Sequence, residues 1–139
     1  MGYVKQSISL QVDVDWYRPR SNDAPWAWGD RKDTRSDPAW SKRNIIYRWV
    51  RASDAAIAMI GETERLLTER VDNYIHAKAE GRAGPTNKRL NEEARSLLNG
   101  SDTLYIEITS EVPGYDLSDT RERRFAECLL TAVCRPYLK

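Results

Sequence analysis

The chain has 139 residues, 40% hydrophobic and 31% charged, with 22 basic side chains against 21 acidic ones and a net charge of +1. That length suits a single domain over residues 1–139 with a real core. The composition excludes a disordered chain, and the near-neutral total gives no overall pull toward nucleic acid or a membrane.

The start, MGYVKQSISL, lacks the long apolar run of a signal peptide. No apolar run approaches the roughly 18 residues that a membrane span needs. Two cysteines, Cys128 and Cys134, fall six apart in one expected helix. They point roughly 240° apart and cannot bridge. They read as small buried hydrophobes, and the lack of a disulfide framework favours a reducing, cytoplasmic setting.

In chain order, SISLQVDVDWY places Ile8, Leu10, Val12, Val14 and Trp16 alternately with polar residues, the pattern of a strand covered on one face. Residues 18–43 follow, punctuated by Pro19, Pro25 and Pro38. They read as a long loop inserted between the first two strands; loops of this length in compact domains are usually functional or disordered. NIIYRWVRA is rich enough in β-branched and aromatic residues for a second strand, the alternative being the beginning of the helix that follows. Ser53 or Asp54 then suits an N-cap.

A helix from about Asp54 to Ala79 is expected from Ile57, Ile60, Leu67, Val71, Tyr74 and Ile75 on one stripe. Gly61 within it marks a bend or a close contact. A second helix runs from Thr86 to Asn99-Gly100, with Leu90, Ala94, Leu97 and Leu98 inward. DTLYIEITSEVP is another strand. Asp119 and Glu122 form a capping box opening a last helix to about Cys134, with Phe125, Cys128, Leu129, Ala132 and Val133 inward. The fold is therefore α+β: a small antiparallel or mixed sheet of about three strands, covered on one face by three helices, with a long Trp/Arg-rich loop.

Several features bear on function. Asp13 and Asp15 share a strand face about 7 Å apart, and with Glu107 they would make a carboxylate set for Mg²⁺-assisted phosphoryl transfer. An Asp-x-Asp is a weak signal, and alternate polar residues on a solvated strand explain it as well. Glu64 falls among apolar positions, so it either sits at the stripe's edge and pairs with an arginine or faces a cavity or an interface. His76, the only histidine, reads as a surface residue, and one His with two mis-spaced Cys makes no metal site. No phosphate loop, serine elbow or dinucleotide fingerprint occurs. No catalytic residue, metal or cofactor is assigned.

The strongest feature is charge. From Arg18 to Arg51 there are nine basic and four acidic residues, a local +5, interleaved with Trp26, Trp28, Trp40, Tyr47 and Trp49. Arginine with tryptophan suits protein hot spots and nucleic-acid stacking, or the tryptophans pin the loop to the sheet. The preferred reading is a small non-enzymatic binding protein, an inhibitor or adaptor of the phage or mobile-element type. It would grip a protein partner through Trp26, Trp28, Arg31, Lys32, Arg35, Trp40, Arg43 and Arg48. Nucleic-acid or nucleotide binding by the same residues and the metal-dependent enzyme are the alternatives. A homodimer is plausible, and no membrane partner is expected.

Overall fold

A computed structural model describes residues 2–20, 35–75, 85–99 and 102–138. The fold is α+β, with a three-stranded antiparallel sheet ordered β2-β1-β3. β1 (Ile45–Arg51) is the central strand, β2 (Ile57–Thr63) and β3 (Leu104–Thr109) its neighbours. The helices are α1 (Leu67–Ile75), α2 (Pro85–Asn99) and α3 (Thr120–Cys134). A 3₁₀ turn, Pro38–Ser41, precedes β1. Among the described residues no helix is long and apolar enough to cross a membrane.

β1 alternates across the sheet. Ile45, Tyr47 and Trp49 join Leu67, Val71 and Tyr74 of α1 and Leu90 and Ala94 of α2 in the larger core. Ile46, on the other face, joins Ile60, Val112, Leu117 and, from α3, Ala126 and Leu130. The helices therefore divide between the two faces instead of sharing one. A strand buried on both sides has no single polar face, which is why β1 reads as a nearly unbroken apolar run.

Three elements depart from expectation. Residues 8–16 form no strand: only Tyr17 pairs with the sheet, through two 2.8 Å hydrogen bonds with Ile108. Their alternation still operates as packing, since Val12, Val14 and Trp16 rest against the smaller core. The expected long helix is β2 followed by the shorter α1, and Asp54 is in the β1–β2 turn instead of capping a helix. Its carboxylate accepts from the Ala56 N–H at 3.1 Å and from Arg51 Nε at 2.9 Å.

α3 does begin at Asp119, whose side chain accepts from the Glu122 N–H. Its buried face, however, is Arg123, Ala126 and Leu130. Phe125, Cys128, Ala132 and Val133 are exposed and Leu129 and Cys134 half-buried. The cysteines are thus not the buried pair expected. An arginine takes the core position because four partners satisfy it: Glu62, Asn44, the Leu117 carbonyl and Thr120.

Candidate functional site

The site starts with a glycine. Tyr47 of β1 pairs with Gly61 of β2. A Cβ on Gly61 would lie under 3.0 Å from the Tyr47 hydroxyl oxygen and two atoms of its ring. The missing side chain lets that ring cross the neighbouring strand, so the close contact expected of Gly61 is present.

The crossing delivers the Tyr47 hydroxyl to α1. It lies 2.8 Å from the Tyr74 hydroxyl. Arg70 Nε donates to Tyr47 Oη at 3.0 Å, and Arg70 Nη2 donates to Tyr74 Oη at 2.7 Å. Arg70 and Tyr74 are four apart in α1, hence neighbours on one helix face. Trp49 packs edge-on against Tyr74 at 5.0 Å. Both tyrosines are buried and Arg70 half-buried.

Burial, the largest cause, pushes the Tyr47 hydroxyl up, and Tyr74 adds to this while Arg70 opposes it. Tyr74 is also raised, first by burial; Arg70 opposes, and the charge of Glu127 on α3 adds to the rise. Burial alone would lower Arg70, but the tyrosine oxygens outweigh it and the net shift is upward. The result is a permanent cation held by two neutral phenols. No carboxylate of the described residues pairs with it. Two of its five N–H groups are used, leaving three for another acceptor.

Arg70 lines a cleft of about 340 Å³ between α1 and the start of α3. The cleft walls carry Arg65, Arg123 and Arg124 as well, against Glu62 and Glu64. Arg123 is spent on structure: its side chain is 2% exposed and Nε bonds Glu62 at 2.5 Å. Arg124 Nε stands 3.8 Å from the same carboxylate. Glu62 is thereby neutralised, and the cleft keeps a positive balance. Glu127 lies one turn beyond Arg123 and Arg124, on the same side of α3.

The expected partner-binding residues scatter. Trp26, Trp28, Arg31 and Lys32 lie outside the described residues. Trp40 is 2% exposed, and its Nε1 donates to the Arg20 carbonyl at 3.1 Å. Arg35 has a 2% exposed side chain and bonds Thr68 and Asp72, each at 2.8 Å. The burial of these two side chains has one cause. The Asp37-capped 3₁₀ turn drives Trp40 into the larger core, and Arg35 closes over it onto α1. Arg43 is exposed. Arg48 lies over the Trp16 ring and bonds Glu107.

The carboxylate set also separates. Glu107 is held by Arg18 at 3.0 Å and Arg48 at 2.7 Å. Asp13 and Asp15 instead line a pocket of about 680 Å³ with Glu111 and Asp116. Among the described residues no group of three His, Cys, Asp or Glu is placed to hold a metal. Glu64 is an exposed side chain 4.0 Å from Arg123, not a buried acid. His76 lies outside the described residues.

Sequence reasoning missed Arg70, Arg123 and Glu127. The available signal was an arginine on the apolar stripe Leu67, Val71, Tyr74, where a charge needs a purpose. No protein-family model matches the chain, and neither the curated proteins nor the solved structures provide a match.

Proposed function

We propose that this chain binds a nucleic-acid phosphodiester in the arginine cleft and hydrolyses it. One observation carries the reading: Arg70, half-buried, is bound only by two neutral phenols among the described residues, at a cleft with surplus positive charge. A buried cation without a counter-charge is costly. A phosphate oxygen supplies that charge and takes the unused N–H groups in the fork geometry arginine favours. Buried polar clusters of perturbed groups at a cleft are where chemistry concentrates.

The residues divide the work by chemistry. Arg70 binds non-bridging oxygens and stabilises the charge that grows on them during phosphoryl transfer. Tyr47 and Tyr74 remain protonated at neutral pH, so they accept from Arg70 and orient it without acting as nucleophiles. In the net reaction water forms a bond to phosphorus, the P–O bond to one sugar oxygen breaks, and the water's proton ends on that oxygen.

The test is incubation of single- and double-stranded DNA and RNA with the full chain and Mg²⁺ or Mn²⁺. Cleavage is expected that Arg70→Lys reduces at least a hundredfold with an unchanged melting curve. Salt-sensitive binding without cleavage would reduce the reading to a nucleic-acid-binding protein. The absence of both cleavage and binding at low salt would overturn it.

A further inference from the structure

Two apolar surfaces of this chain have no cover. The first is amino-terminal: every residue from Gly2 to Gln11 is exposed, with Ile8 at 80% and Leu10 at 61%. These two extend the period-two alternation of Val12, Val14 and Trp16, which is already seated on the smaller core. One alternating segment is therefore half packed and half bare. Lys5 is its only charge between Gly2 and Gln11, so burying it costs little ionic solvation.

The second surface is on α3. Phe125 is 58% and Val133 47% exposed, and Cys128 and Ala132, exposed as well, lie on the stripe between them. That stripe has the helical spacing of a buried face. It lies roughly a third of the way around α3 from the Ala126–Leu130 face at about 100° per residue. Soluble monomers rarely leave such apolar surface bare.

We propose that the two surfaces cover each other between two copies of the chain. The amino-terminal arm of one copy lays Ile8 and Leu10 on the Phe125–Val133 stripe of the second, and the exchange is reciprocal. A second copy is the occupant because one chain carries both complementary surfaces, and a two-fold pair satisfies each of them twice. The proximal half of the arm, anchored by Tyr17 on β3, already packs within its own copy on the smaller core, to which α3 contributes Ala126 and Leu130.

Sedimentation of the full chain over a wide concentration range tests this. A dimer is expected that becomes monomeric in Ile8→Asp with Leu10→Asp and, separately, in Phe125→Asp. Because all three positions are exposed in a single copy, each variant keeps the melting curve of the diluted protein. Val133→Asp repeats the helix side of the test should Phe125→Asp fail to fold. A wild-type monomer at every concentration, or a dimer that survives either the arm or the helix substitution, overturns the proposal.

Discussion

Gly61 does more for the candidate site than its lack of a side chain suggests. Its partner across the strands is Tyr47, and a Cβ would meet the Tyr47 ring at distances no real Cβ tolerates. The ring cannot withdraw freely, because its hydroxyl is held by Tyr74 and Arg70. Gly61→Ala therefore overpacks a filled core, at a cost of about 1–3 kcal/mol. It also displaces the hydroxyl that orients Arg70. Chemical denaturation should show the stability loss, and nucleic-acid affinity should fall with it. A stable Gly61→Ala variant with unchanged affinity would show that the crossing is not needed. Tyr47→Phe separates the two effects, since it keeps the ring and removes only the hydroxyl.

At the scale of elements, what the sequence discloses depends on whether local chemistry has one structural meaning. β3 and α2 were legible from their patterns, and β1 was read as a strand although its apolar run could also have opened the helix expected after it. Asp54 was not legible: a carboxylate accepting a backbone N–H two residues on serves both a helix N-cap and an Asx-type turn. The following β2 is buried on both faces, so its apolar run resembles a helical stripe. α3 carries two apolar stripes, and only the packing of Arg123 decides which is internal. The candidate site was harder still, because Tyr47, Gly61, Arg70 and Tyr74 meet only through pairing and packing between distant segments. Asp37 illustrates an element-level joint that can be tested by pH. Burial alone would raise its pKa, but hydrogen bonds from Tyr17, the Arg20 N–H and the Ala39 N–H, with the Arg20 charge, hold it at about 2 against the ordinary 3.8. A depressed carboxylate contributes stability that is complete above the unfolded pKa and is lost as pH falls through the folded one. The 3₁₀ turn and the Tyr17 segment should therefore loosen between pH 3.8 and about 2. Urea midpoints followed across that window should fall in the wild type more steeply than in Asp37→Asn; equal slopes would assign the joint no such role.

For the whole molecule, a net charge of +1 predicts weak attraction for a polyanion, so any affinity for nucleic acid must come from local clustering. The cleft provides it, with exposed Arg65 and Arg124 at its walls and half-buried Arg70 between them. These residues should differ in their salt signature. Each surface arginine that neutralises a phosphate releases counterions, and its loss should lower the slope of log affinity against log salt by about one. Arg65→Ala and Arg124→Ala should do this with little change in stability, because each side chain is mostly solvated and such surface pairs contribute about 1 kcal/mol or less. Arg70→Lys keeps the charge and should largely preserve the slope. Its loss should appear instead as a uniform fall in affinity and rate, because a lysine point charge lacks the fork that binds phosphate in two places. Binding titrations at several salt concentrations separate the cases. If Arg65→Ala and Arg124→Ala leave the slope unchanged while the wild type binds, the phosphate path lies elsewhere on the molecule, and the basic Arg18–Arg51 stretch becomes the surface to test.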